Sequence, residues 1–203
     1  MAIFPSKEWI EEVLKVAEGS EEYKEASKDW EGDFLCSIEC DDDFLGDLRR
    51  KEVMEGFISF LDMMPGESRK KYKGTPMGDF MEKKLGISLV TPMKGLELNE
   101  LVTKISKLSA EDLSGAALYF WADFWHGSIR NMMGVAPSEH DDAAFKLFGK
   151  YSSWKLLVSG QQDTMRLVMS NRLQLEGDMQ YMMKRMKAVV ALTKEVLAGV
   201  PID

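Results

Sequence analysis

Two hydrophobic periods alternate along the chain, and the switches between them outline its elements. From Ser6 onward, Trp9, Ile10, Val13, Leu14 and Ala17 recur at helical spacing, with Ser6 as a natural N-cap and Gly19 as a stop. Ser20 opens a second helix whose first turn carries Glu21 and Glu22, the charge sign that a helix N-terminus favours. The segment "GDFLCSIEC" then changes to period two. Phe34, Cys36, Ile38 and Cys40 oppose Leu35, Ser37 and Glu39, which predicts a strand.

From Asp43 to about Asp112 the helical period returns. "FLGDLRRKEVMEGFISFLDMMPG" repeats at three and four until Pro65-Gly66 stops it, and "PMGDFMEKKLG" and "LNELVTKISKL" predict two further helices. Strand signals resume with "ALYFWADFWHG", where Leu118, Phe120, Ala122 and Phe124 alternate with Tyr119, Trp121, Asp123 and Trp125. Both sets are mostly apolar, so a strand covered on both faces is expected. His126-Gly127 predicts a tight turn into "SIRNMMGV", and "AAFKLFGKY" a further strand. "SSWKLLV" reads as a short helix capped at Ser152 or Ser153, and "QQDTMRLVM" as another, with Met165, Val168 and Met169 on one face. "NRLQLEGD" is the last strand. Asp178 then caps a long helix in which Met179, Met182, Met183, Met186, Val189, Val190, Thr193, Val196 and Leu197 form the strongest amphipathic stripe in the chain.

Bulk properties narrow the function classes. The formal net charge is −8, which disfavours broad nucleic-acid binding. The one basic cluster, "RKKYK" at Arg69 to Lys73, reads as a solvated loop ahead of a site for anionic head groups. No signal-peptide pattern and no membrane-length apolar run is present, so a cytoplasmic protein is expected. If Cys36 and Cys40 share a strand they lie roughly 13 Å apart, too far for a disulfide. His126 and His140 lack metal-ligand spacing, and no nucleophile or phosphate-loop motif appears. His126 near Asp123 is the nearest approach to a catalytic arrangement, in a hairpin that would expose the imidazole. No enzyme, metal or cofactor is expected.

The second half resembles the C-terminal half of the sterol carrier protein 2 (SCP-2) domain family. The resemblance rests on Gly149, Tyr151 and Trp154 at a strand end, on Leu173, Leu175, Gly177 and Asp178 in the last strand, and on the long helix that follows. "LYFWADFWHGSIRN" is similar to the family's central hairpin, and residues 5–42 to its helical start and first strand, with Trp30 and Gly32 in matching places. It implies an α+β fold, a five-stranded mainly antiparallel sheet packed with helices, forming one domain over residues 1–203. Residues 43–112 would then be a helical insertion after the first strand. It further implies a carrier or presenter of a sterol-, fatty-acid- or isoprenoid-like molecule in an apolar tunnel, with a lipid-like partner and transient contact with membrane surfaces. A tunnel of about 300–1,000 Å³ is the usual scale for such a site.

Methionine is unbranched and polarizable, suited either to irregular cores or to cavities with variable contents. The candidate cavity residues are Phe120, Trp121 and Trp125 on the aromatic strand, with Met133, Met165, Met169, Met179, Met182, Met183 and Met186. The alternative for all of them is ordinary core. Phe57, Phe60, Leu61, Met63 and Met64 of the insertion are candidates for a lid over the tunnel. In a rival class of function, the insertion forms a homodimer surface and the cavity is filled by the protein's own side chains.

Overall fold

The computed structural model describes residues 1–203. Local sequence sets the first elements. Helix α1 (Lys7–Gly19) starts where the Ser6 hydroxyl accepts the Trp9 N–H at 3.0 Å, and it buries Trp9, Ile10, Val13 and Ala17. Helix α2 (Glu21–Ala26) is capped in the same way by Ser20. Strand β1 (Glu31–Glu39) follows.

The stretch between β1 and β2 is mostly helical, as its periodicity predicts, with a non-helical loop over residues 86–97. The first run divides in two at Arg49 and Arg50, giving α3 (Asp42–Leu48) and α4 (Lys51–Asp62). A single turn α5 (Gly66–Arg69) leads to α6 (Pro76–Asp79), which runs into a π-helical turn over Phe80–Leu85. Left-handed Gly86 ends that turn, at φ 75°. Helix α7 (Leu98–Ile105) completes the stretch. The basic cluster is only partly the solvated loop expected: Arg69 and Tyr72 are buried. Arg69 donates from Nε to Leu89 O (3.1 Å), from Nη1 to Met64 O (2.8 Å) and Leu61 O (3.3 Å), and from Nη2 to Thr91 O (2.8 Å). It also faces Asp62 at 3.4 Å. One guanidinium thus ties the end of α4 to the loop before α7.

Strands β2 (Ala117–Trp125) and β3 (Ser128–Val135) form the expected hairpin, with His126 at φ 46° and Gly127 at φ 82° in its turn. Strand β4 (Phe145–Lys150), helices α8 (Tyr151–Val158) and α9 (Thr164–Met169), and β5 (Leu173–Glu176) follow. The five strands make one sheet in the order β3-β2-β1-β4-β5. Every pairing is antiparallel except β1 with β4, so the sheet is mixed but mostly antiparallel.

Three local expectations change. Leu118, Phe120 and Ala122 of β2 are buried, whereas Tyr119, Trp121 and Asp123 are only half-buried, so the second face of that strand is only partly covered. Neither Ser152 nor Ser153 caps α8; the Asp41 carboxylate, which also caps α3, accepts the Ser152 N–H at 3.0 Å. The long terminal helix is not continuous. It breaks at Arg185 (φ −112°, ψ 29°) into α10 (Met179–Lys184) and α11 (Met186–Ala191), and α11 passes into a π-helical turn over Leu192–Leu197.

Candidate functional site

One face of the sheet meets α1, α2, α8 and the C-terminal helices across a cavity. Its 22 lining residues include 20 hydrophobic ones and none that carries a charge, so the site suits an apolar occupant. Register explains why space remains at its floor. Ala122 of β2 lies between Phe34 of β1 and Met132 of β3, so a small side chain sits among large ones. Aromatic rings frame that gap. Trp9 meets Phe120 edge-on at 6.1 Å, Phe120 meets Trp154 at 5.4 Å, and Phe34 meets Phe124 at 5.6 Å. The roof comes from the C-terminal helices, through Met182, Ala188, Val189, Leu192 and Leu197.

The walls leave about 80 Å³ free. A single water occupies roughly 10–15 Å³ by this measure, while ligand sites usually reach about 300–1,000 Å³. The expected tunnel is therefore a narrow cavity in this state, and a lipid enters only if its walls move. Three lining residues are half-buried where the rest are buried: Phe124, Ile129 and Leu192. The mouth accordingly lies where the β2–β3 hairpin faces the start of the π-helical turn. The roof is also irregular, interrupted at Arg185 and passing into a π-helical turn.

The polar groups on the wall are quiet. Ser27 donates its hydroxyl to Tyr23 O at 2.6 Å. Burial pushes the Tyr23 phenol up to about 12, against a weaker opposing bond from Ser27. Burial likewise holds the Cys36 thiol well above its ordinary value. Neither group ionises near neutral pH. Trp9 stands apart: its indole N–H is the one buried side-chain polar atom with no hydrogen-bond partner.

Of the residues predicted to line a cavity, the structure brings Phe120 and Met182 to it. The others lie elsewhere, each for a definable reason. Trp121 points to the opposite sheet face, where Nε1 donates to Asp33 at 2.6 Å and the ring stacks on His140. Met133, its partner in register, is half-buried outside the cavity wall. Trp125 is 38% exposed at the hairpin end, beneath Arg130. Met169 and Met183 are 84% and 62% exposed, on the outer sides of α9 and α10. Met165, Met179 and Met186 are partly buried away from the wall. Helix α9 instead buries Thr164 and Leu167, of which Thr164 reaches the cavity. The lid candidates Phe57, Phe60, Leu61 and Met64 are core residues, Met63 is packed against that core, and none of the five lines the cavity. His126 is exposed and pairs with Glu31 at 2.7 Å, while Asp123 holds Arg130.

Comparison with known proteins finds one family match and two likenesses of fold. Residues 93–190 match the model of the SCP-2 sterol transfer family. The match starts at Met93 in the helical stretch and ends at Val190 in α11, leaving the opening helices and β1 outside it. No curated protein matches the SCP-2-like chain. Among solved structures it is similar to the crystal structure of sterol carrier protein 2, with TM-score 0.55 and 15% identity over 96% of this chain and 97% of that one. It is also similar to the solution structure of a conserved hypothetical protein, "possibly sterol carrier protein", from Thermus thermophilus. That likeness has TM-score 0.54 and 14% identity over 100% of this chain and 97% of that one. At such identities the two structures establish the shared fold: an α+β sheet of the SCP-2 kind.

Proposed function

We propose that this SCP-2-like protein is a non-enzymatic carrier or presenter that holds a lipid-like molecule in the cavity between its sheet and C-terminal helices. The observation that carries the reading is the cavity's composition: a large, uncharged, aromatic-framed wall around space that close packing would have filled. Its irregular roof offers a route to the larger volume a lipid needs, since helix breaks concentrate conformational freedom. The absence of catalysis is part of the proposal. It is supported by the satisfied Ser27 hydroxyl and by the Tyr23 and Cys36 side chains, which burial holds in their neutral forms. The cytoplasm is the location this reading assigns, with loading and unloading at membrane surfaces. No helix is long and apolar enough to cross a membrane.

Native mass spectrometry of the purified protein, followed by solvent extraction, tests the proposal. A stoichiometric apolar molecule is the expected result, and its extraction would identify the lipid class. A clean protein mass, unchanged after incubation with fatty acids, sterols and isoprenoids, would overturn it.

A further inference from the structure

Tryptophan carries a strong donor that buried sites normally satisfy. Three tryptophans follow the rule. Trp30 donates to Gly32 O at 3.1 Å, Trp121 to Asp33 at 2.6 Å, and Trp154 to Ser37 O at 2.9 Å. Trp9 does not, although it is only 1% exposed and forms part of the cavity wall. Its neighbours Phe4 and Phe120 present ring edges and faces, at 4.7 and 6.1 Å between centroids, and no lone pair of oxygen or nitrogen. An unpaired buried N–H is costly, and the wall must move before a lipid enters.

We propose that Trp9 is the polar anchor of the cavity and selects an uncharged lipid bearing a hydrogen-bond acceptor, such as a hydroxyl or carbonyl, at one end. The inference rests on the lipid-carrier reading and specifies its ligand. Charge is excluded by the wall, which holds no cation to pair a buried carboxylate or phosphate. Orientation follows from β2. Trp9 packs on Phe120, while Phe124, four residues further along the strand, marks the mouth, roughly 13 Å away at the usual rise. The ligand's polar end therefore lies inside and its hydrocarbon tail runs toward the hairpin and Leu192.

The test compares three saturated chains of one length: the hydrocarbon, the primary alcohol and the ionised acid. Each competes against a fluorescent lipid. The alcohol is expected to bind roughly three- to tenfold tighter than the hydrocarbon, the range of one net hydrogen bond. Trp9→Phe should erase that margin, so that alcohol and hydrocarbon bind alike whatever the change in wall shape does to both. In the wild-type protein, the ¹⁵N-labelled Trp9 indole resonance should move with the alcohol and stay with the hydrocarbon, a readout that needs no variant to fold. Tightest binding by the acid would overturn the proposal, as would a margin that survives Trp9→Phe. An indole resonance unmoved by the alcohol would overturn it too. Failure of all three chains to bind would instead strike at the carrier reading itself.

Discussion

The helical stretch between β1 and β2 and the cavity side of the sheet draw on similar apolar side chains but close in opposite ways. In the stretch, Met54, Phe57, Phe60, Met77 and Met81 are all buried in continuous core. Its one buried cation, Arg69, finds four backbone carbonyls and a carboxylate. On the cavity side, rings stand edge to face around unfilled space, and the Trp9 N–H is left unpaired. The first region is finished by the chain alone. The second keeps free volume and an unpaired donor. A shared apolar composition thus says little about function; what differs is whether every volume and every polar group has been accounted for.

Arg69→Ala probes the finished region and should have the largest effect, a loss of about 3–5 kcal/mol in denaturant unfolding, because it strands the carbonyls that the guanidinium serves. A loss under ~1 kcal/mol would remove that site as the organiser of the stretch. A paired truncation sharpens the contrast. Phe60→Ala, in close-packed core, should cost about 3–5 kcal/mol, whereas Phe120→Ala should cost about 3 kcal/mol or less, because that ring borders the cavity. Equal costs would mean that the cavity side is packed as tightly as the rest.

The smallest effect lies at Glu139, where the polypeptide after β3 meets the helical stretch. Partial burial alone would raise its carboxyl, but the Ala136 N–H at 2.8 Å and Lys71 at 3.0 Å outweigh that and hold it below its ordinary value. A carboxyl depressed on folding adds stability above its unfolded value, and that contribution disappears as pH falls through the folded one. Glu139→Gln should therefore flatten the stability profile below about pH 4.3. The change should stay within about 1 kcal/mol, the scale of a partly exposed pair. A variant whose acid profile overlays the wild type would remove the Glu139 contribution.

Elements whose signals are local were legible in the sequence. Ser6, Gly19, Ser20 and the His126-Gly127 turn act within a few residues, and each does what its chemistry predicts. The sheet and its helices were legible too, because alternation along β1, β2 and β4 needs no knowledge of partners. The site was much less so. The methionine-rich run around Met183 suggested a cavity, yet Met182 is the only methionine of that run on the wall, which the stripe otherwise reaches through Val189 and Leu197. Methionines are spent more freely in the core of the helical stretch, at Met54, Met64, Met77, Met81 and Met93. Two signals could have pointed nearer the wall. Asp123 and Tyr119 mark the wetter face of β2, which places Phe120 on the other. Ala122, small within an aromatic strand, marks where space is left. The cap of α8 was beyond reach, since Asp41 comes from the far side of the helical stretch.

That same distance shapes how the molecule must assemble. β1 is the centre of the sheet, yet its two partners, β2 and β4, arrive only after the entire helical stretch has been passed. The parallel pairing of Phe34 with Phe145 cannot reward the chain until a very long loop has closed. The helices between them make their contacts over much shorter separations. Assembly is therefore gated by sheet closure, a slow step by the usual relation between contact separation and rate. Until that step is complete, β1 is an apolar strand with both edges open, and the cavity does not yet exist.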